Sequence, residues 1–206
     1  MPSIGATVRR LFGPLEPTVS EFYRGLFVDL DEFARAIKSW VPDAHRILEV
    51  GCGEGAMTER LVLHYPEAEI LGIDISPRLG RLYRGPRRLV KFQQRTVDDI
   101  VGEAPQHFDL VVLADVMHHV QPEIRPEFFQ SVEAALLPGG HLVFKDWERS
   151  ISPQHAICFF MERYITGDTV QYCDLSELKS FSHLALANDR RIGPWRNNLA
   201  LHYRAP

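Results

Sequence analysis

A run of alternating glycines at residues 51–55, with the sequence GCGEG, is the feature of this chain that most directly suggests ligand binding. The apolar run at residues 47–50 precedes it and is typical of a buried strand, and the segment behind it has helix-forming residues and a polar first turn. Glycine permits backbone angles closed to other residues and lets a ligand lie against the main chain. A helix behind such a turn offers free N–H groups to the ligand.

The residues around the glycines distinguish among nucleotide ligands. The spacing is G-x-G-x-G, whereas the dinucleotide fingerprint is G-x-G-x-x-G with the pyrophosphate at the helix N-terminus. Glu49, two residues before the first glycine, would repel a pyrophosphate but suits an ammonium group or a bound water. No phosphate-loop lysine follows at residues 56–58. A second strand at residues 70–73 ends in Asp74, where a carboxylate can bind both ribose hydroxyls, so the sequence predicts an adenosyl ligand without phosphates.

Four segments in consecutive order make the sequence similar to the class I S-adenosylmethionine-dependent methyltransferases. They are EVGCGEG at residues 49–55, GIDIS at 72–76, FDLVVLADVMHHV at 108–120 and LLPGGHLVFKD at 136–146. The resemblance covers roughly half of the chain, with the order that a doubly wound unit requires. It implies an α/β fold: a Rossmann-like, seven-stranded, mostly parallel sheet with helices on both faces and an antiparallel last strand. It also implies S-adenosyl-L-methionine as the cofactor and S-adenosyl-L-homocysteine as the product.

The resemblance assigns cofactor binding to the ends of the first four strands. The residues are Glu49, Gly51, Cys52, Gly53, Gly55, Asp74, Ile75, Thr96, Val97, Ala114 and Asp115. Asp74 would hold the ribose hydroxyls and Ile75 would pack on the adenine face, although a carboxylate at Asp74 is also compatible with a helix cap or an exposed position. The backbone near Ala114 would contact the methionine part of the cofactor.

The adenine edge is the part of the predicted site where this chain departs from the family pattern. Many relatives place an aspartate after the third strand, here residues 89–93, to accept from the exocyclic amine. Alignment on Ile100 places Thr96 at that position, and a threonine hydroxyl accepts the same hydrogen bond more weakly than a carboxylate. We therefore predict Thr96 and the backbone of Val97 as the contacts, with Asp98 as the alternative.

Two histidines follow the fourth strand, which occupies residues 108–114. His118 or His119 is the best candidate for a general base, because a neutral imidazole accepts a proton from a hydroxyl near pH 7. The alternative is that these rings hold the loop through hydrogen bonds.

Two further aspartates could form a metal site. Asp115 and Asp146 follow adjacent strands and could hold a hard cation, as in the catechol type of methyltransferase. That type has an asparagine after the second aspartate, where this chain has Trp147, so we predict no metal.

The segment after the predicted cofactor core is expected to select the acceptor, because the cofactor scaffold is shared across the resembled family. Residues 175–186 are predicted to form a helix, and residues near 192 and at 199–203 a closing strand pair. Aromatic residues here more often form core than an acceptor pocket. Our candidates for contact with the acceptor are Trp147, Tyr164, Tyr172, Trp195 and Asn197.

Composition limits the class of protein. The 206 residues, 45% of them hydrophobic, suffice for one domain: a cap segment and helix at 1–40, a cofactor-binding core at 46–146 and acceptor-side elements at 147–206. The net charge of −4 gives no basic field for nucleic acid. The sequence has no signal-peptide-like segment and no apolar run long enough to span a bilayer. Its three cysteines lack metal-ligand spacing, so a cytoplasmic location is expected, while the oligomeric state is not predicted.

The chemistry expected from these features is in-line displacement of the sulfonium-bound methyl group by a small organic acceptor, most simply at a hydroxyl oxygen. Two alternatives stay open: an RNA or protein methyltransferase, and a cofactor-binding protein without catalysis. The signature N-P-P-[YFW] of exocyclic-amine methylation is absent after the fourth strand.

Overall fold

The computed structural model describes residues 29–149, 171–193 and 198–206. Within these residues lie seven strands of one sheet: β1 (Arg46–Val50), β2 (Glu69–Asp74), β3 (Val90–Gln94), β4 (Phe108–Ala114), β5 (Leu136–Trp147), β6 (Ala185–Ile192) and β7 (Asn198–Arg204). The α-helices of this part are α1 (Leu30–Trp40), α2 (Ala56–His64), α3 (Val97–Glu103), α4 (Arg125–Ala134) and α5 (Leu175–Ser180). Two short 3₁₀ turns, Met117–His119 and Pro122–Ile124, follow β4.

The sheet has the strand order β3-β2-β1-β4-β5-β7-β6. All pairs from β3 to β5 are parallel, whereas β7 is antiparallel to both of its neighbours, β5 and β6. The predicted doubly wound sheet with an antiparallel last strand is confirmed. Its central strands are continuous apolar runs because helices cover both faces, α1 and α2 on one and α3, α4 and α5 on the other.

Helix α1 begins where the Asp29 side chain accepts a hydrogen bond from the Glu32 N–H at 2.7 Å. Phe33 and Ile37 then point into the core, and Leu30 in the first turn lies near Ala114 at the carboxyl end of β4. Apolar residues recur at helical spacing from residue 20 to residue 40 of the sequence, and the part of this predicted helix before residue 29 lies outside the described residues.

Two sequence predictions of helices are corrected. Ser76 and Pro77 match the pattern of a helix start, which predicts a helix after Asp74, but residues 75–89 cross from β2 to β3 as irregular backbone. Gly80, with φ +56°, turns this connection so that its N–H donates to the Gly53 carbonyl at 3.0 Å. The helix predicted at 175–186 ends at Ser180, and residues 185–192 instead form β6. No helix in the described ranges is long and apolar enough to cross a membrane.

Candidate functional site

The glycine turn is fixed to the end of the neighbouring strand. The N–H groups of Gly51 and Cys52 both donate to the Ile73 carbonyl, at 2.8 and 3.0 Å. The three glycines have positive φ angles of 76°, 48° and 93°, which disfavour any residue with a Cβ atom. The carboxyl ends of β1 and β2 therefore present one rigid backbone surface.

The three glycines of the turn differ in the space available for a side chain. A Cβ atom at Gly51 would overlap Val116 Cγ2, and one at Gly55 would lie 2.8 Å from Tyr83 Cβ. A Cβ atom at Gly53 would meet only the Asp74 carboxylate, at 4.0 Å. Gly51 and Gly55 are thus required by packing within the protein, whereas Gly53 keeps open a cradle in which a ligand can lie.

Asp74 stands beside this cradle with its carboxylate held by the main chain. Its Oδ2 accepts from the Gly53 N–H at 2.9 Å and its Oδ1 from the Ser76 N–H at 2.8 Å. Each carboxylate oxygen has a further lone pair, so the group can still accept from a pair of hydroxyls. The next residue, Ile75, is 76% exposed and offers an apolar surface at the same strand end. The ribose and adenine contacts of these two residues stay predictions.

Thr96 is the N-cap of α3. Its hydroxyl donates to Asp99 Oδ2 at 2.9 Å and accepts from the Asp99 N–H at 3.2 Å, which leaves one lone pair for another donor. Val97 is the first helical residue, whose N–H has no acceptor within the helix. The alternative contact, Asp98, accepts a hydrogen bond from Ser131 Oγ on α4. This geometry favours Thr96 and Val97 over Asp98, and their adenine contact stays a prediction.

A pocket of about 180 Å³ opens between the glycine turn and the end of β4. It brings together six residues that the sequence predicted at dispersed positions: Glu49, Gly51, Cys52, Gly53, Ala114 and Asp115. The remaining lining comes from Leu30, Glu54, Ala56 and Met57.

Glu49 is a buried acid in the wall of this pocket, 2% exposed. Burial raises its pKa to about 8, the charge of Asp74 adds to this effect, and a 2.6 Å hydrogen bond from Thr58 Oγ1 opposes it. At neutral pH the side chain therefore holds its proton in the absence of a cationic ligand. Burial also raises the pKa of the neighbouring Cys52 thiol, so that cysteine is not a thiolate nucleophile.

Asp115 occupies the opposite wall in a strained conformation, with φ +59°. Its Oδ1 accepts from the Lys145 ammonium at 2.5 Å, and the same ammonium donates to Asn198 Oδ1 at 3.0 Å. Lys145 is fully buried, whereas the Asp115 side chain is 27% exposed.

His118 is held by a buried carboxylate. Its Nδ1 lies 2.6 Å from Asp146 Oδ1, and Asp146 Oδ2 accepts from the Met117 N–H at 2.7 Å. Burial acts to raise the pKa of Asp146. The charge of His118 and its hydrogen bond oppose burial, as do the Trp147 N–H and Lys145, and together they lower the pKa of Asp146. A carboxylate in this position orients the ring and fixes its tautomer.

Two predicted residues surround His118. His119 is exposed, and its ring centre lies 4.1 Å from that of His118. The Tyr172 ring lies 5.5 Å away on the acceptor-side segment, which is joined here by a 2.9 Å bond from the Gln171 N–H to the His118 carbonyl. Trp147 is 4% exposed at the end of β5. Tyr164, Trp195 and Asn197 lie outside the described residues.

Asp115 and Asp146, the two candidate metal ligands, are held by different partners. Successive residues of β5 point to opposite faces of the sheet, so Lys145 reaches Asp115 on one face while Asp146 reaches His118 on the other. Among the residues that the structure describes, no three potential metal-binding side chains cluster.

Sequence reasoning missed Lys145 as the partner of Asp115 and Asp146 as the partner of His118. The available signal was a lysine and an aspartate interrupting the apolar run of the fifth strand.

A larger groove, of about 310 Å³, lies elsewhere on the sheet, near Arg46 and Glu69 where β1 and β2 begin. It contains none of the predicted site residues. Because ligands of doubly wound sheets bind at the carboxyl ends of the strands, the smaller pocket is the candidate site.

Comparison with known proteins agrees with this location. A family model described as a methyltransferase domain matches residues 48–142, which include the glycine turn and β4. The chain is also 38% identical over 116 residues to the trans-aconitate 2-methyltransferase of Methylobacterium nodulans. Residues 48–142 thus carry a methyltransferase domain, and the chain is similar to S-adenosylmethionine-dependent methyltransferases.

The curated relatives of this chain are matched only in part. The match to the Methylobacterium nodulans protein covers 54% of the chain and 42% of that protein. A ubiquinone biosynthesis O-methyltransferase of Xylella fastidiosa is 28% identical over 174 residues, covering 76% of the chain and 68% of that protein. The chain thus spans less than half of the first relative and about two thirds of the second.

Solved structures share the fold. An S-adenosylmethionine-dependent methyltransferase from Mesorhizobium loti has a TM-score of 0.66 and 21% identity, covering 85% of this chain and all of that one. The 1,6-didemethyltoxoflavin-N1-methyltransferase of Burkholderia thailandensis, solved with S-adenosylhomocysteine, has a TM-score of 0.68 and 16% identity, covering 97% and 88%.

Proposed function

We propose that this chain binds S-adenosyl-L-methionine in the pocket beside Gly53 and transfers its methyl group to a hydroxyl oxygen of a small organic molecule. The observation that carries the proposal is the open cradle at Gly53 next to the main-chain-held carboxylate of Asp74. The names of the trans-aconitate and ubiquinone methyltransferases support a small-molecule acceptor.

The residues present fit this cofactor. Gly53 leaves room for it, Asp74 accepts from ribose hydroxyls, Ile75 offers an apolar face to adenine, and Glu49 and the end of β4 line the space for the amino-acid end. When bound, the cofactor supplies a methyl group already activated by a sulfonium. The protein then has to align the acceptor and exclude water.

His118 is the proposed general base. A hydrogen bond from Nδ1–H to Asp146 leaves Nε2 as the proton-accepting nitrogen of the neutral ring. The buried carboxylate then stabilises the imidazolium that forms when a hydroxyl loses its proton. His119 lies beside His118, is itself exposed, and is the alternative base.

The cofactor site is tested by comparing two alanine variants that each place a Cβ atom on a backbone with positive φ. Gly53 and Gly139 both have positive φ, and a Cβ atom at Gly139 meets nothing within 4 Å, at the far end of β5. We expect Gly53→Ala to weaken S-adenosylhomocysteine binding in calorimetry at least about tenfold, and Gly139→Ala to change it less than about twofold. Equal affinities would show that the ligand does not lie on Gly53.

The acceptor class is tested in the same preparation with methyl-labelled S-adenosylmethionine and a cell extract, separated into small molecules, nucleic acid and protein. We expect label among the small molecules. Label in RNA or protein would favour the alternative enzyme classes. Intact cofactor binding with no label in any fraction would favour a cofactor-binding protein without catalysis.

A further inference from the structure

Asp115 combines three properties in the wall of the pocket. Its backbone is in the left-handed region, its Oδ1 is held by Lys145, and no donor in the described part of the chain contacts its Oδ2. A non-glycine residue in this backbone region is strained and persists only where its surroundings hold it. Here the Asp115 N–H donates to the Lys145 carbonyl at 2.9 Å, so Lys145 holds both the main chain and the side chain.

Lys145 has few partners for a fully buried cation. Within the described residues its ammonium contacts Asp115, Asn198 and the face of the Phe33 ring, 5.9 Å from the ring centre. Burying an ion pair costs free energy through desolvation, and it often gives no net stability compared with apolar residues of similar size. The arrangement therefore calls for an explanation other than stability.

We infer that Lys145 positions Asp115 as a receptor for a hydrogen-bond-donating group, an ammonium or a hydroxyl, inside the pocket. The lysine fixes one carboxylate oxygen and leaves the other, on a partly exposed side chain, directed to a ligand. The inference rests on the proposed function, because it describes the same pocket. It assigns to Lys145 a positioning role, without contact to the reacting atoms.

Two groups have this chemistry in a methyl-transfer reaction. One is the α-ammonium of the cofactor, and the other is the O–H or N–H of the acceptor. The two sources are separated by S-adenosylhomocysteine and 5′-methylthioadenosine, since the second compound keeps the nucleoside but lacks the amino-acid end.

The experiment measures the affinity of Asp115→Asn for both compounds by calorimetry, together with methyl transfer to the small-molecule fraction of the extract. Asparagine tolerates positive φ and keeps the shape of the side chain while removing the charge. A selective loss of about tenfold or more for S-adenosylhomocysteine assigns Asp115 to the cofactor ammonium. Unchanged affinities with transfer reduced about tenfold or more assign it to the acceptor. Both results support the role of Asp115 as a receptor for a hydrogen-bond-donating group.

The inference is overturned if all three readouts are unchanged, or if both compounds lose affinity equally, which indicates a structural role.

Lys145→Met should reproduce the selective defect of Asp115→Asn, because the carboxylate loses its support. The double variant Asp115→Asn with Lys145→Met leaves no unpaired buried charge and gives the same test should a single variant not fold. Asp189→Asn, which removes the charge from an exposed Asp–Lys pair at 2.8 Å, is the matched control and should change nothing. Wild-type protein that binds no S-adenosylhomocysteine would instead refute the proposed function, and this inference with it.

Discussion

Glu49 is the residue through which pH should act most directly on the stability of this protein. It is buried, its described partner is the Thr58 hydroxyl, and its pKa is raised to about 8 from the ordinary 4.5. Replacing it with glutamine keeps the size of the side chain and an oxygen that accepts from Thr58, but removes the ionisable proton. Glu49→Gln therefore isolates the effect of this one titration.

The sign of the effect follows from proton counting. Between pH 4.5 and about pH 8 the unfolded chain releases the Glu49 proton while the native chain retains it, so the unfolded state binds fewer protons and native stability falls as pH rises. Each pH unit in this window is worth about 1.4 kcal/mol, so burial of this acid costs about 3 kcal/mol at pH 7. Below pH 4.5 the cost disappears, and above pH 8 it is constant.

Urea unfolding at pH 5, 6, 7 and 8 measures this cost as the difference between the two proteins. We expect the free-energy difference in favour of Glu49→Gln to grow by about 3 to 4 kcal/mol from pH 5 to pH 8. With a slope of about 2 kcal/mol per molar urea, the midpoints should separate by about 1 to 2 M. Other titrating groups affect both proteins alike and cancel. Parallel pH dependences would refute the buried, protonated state of Glu49.

Two further predictions concern histidines. His118→Ala and Asp146→Asn should each lower methyl transfer at least about 100-fold, while S-adenosylhomocysteine affinity stays within about twofold. His119→Ala should lower methyl transfer less. Undiminished transfer in His118→Ala would show that the base is assigned wrongly. His202 stacks on Trp40, and burial, followed by the charges of His141 and Arg204, lowers its pKa to about 4. Below pH 6.5 the His202 side chain binds a proton in the unfolded chain but not in the native chain, so native stability should fall by up to about 3 kcal/mol towards pH 4. In urea unfolding, His202→Gln should lack this fall in stability. Equal dependence of stability on acid pH in the two proteins would contradict the prediction.

The parts of the fold that sequence predicted are those set by local patterns. The apolar run of β4 and the glycines after β1 each signal their structure within a few residues, and the sheet order follows from the resemblance they carry. The connection after Asp74 was predicted wrongly, because Ser76 and Pro77 satisfy a helix-start rule while Gly80 turns the chain back onto the glycine turn. The conformation of that segment is therefore set by its tertiary contact with the glycine turn.

The pairing of charged residues could not be read locally, because it depends on the register between β4 and β5. Ala114 pairs with Lys145 in the sheet. The next residue, Asp115, therefore lies close to the Lys145 side chain, which is about thirty positions further along the chain. The backbone of Asp115 must also turn into the left-handed region for its carboxylate to reach the lysine. Sequence placed both aspartates at the ends of adjacent strands, but it did not show that each carboxylate has its own basic partner.

The end of β5 thus holds the two proposed site residues, Asp115 and His118, through the alternation of side chains along a strand. Lys145 points to the face of α1 and holds Asp115 in the pocket wall, while Asp146 points to the opposite face and holds His118. Both supported residues belong to the segment that follows β4, so a displacement of β5 by one residue would exchange the faces and break both pairs together. The proposed roles of Asp115 in ligand binding and of His118 in proton removal should therefore be separable by side-chain substitution but lost jointly by any change that alters the β4–β5 register.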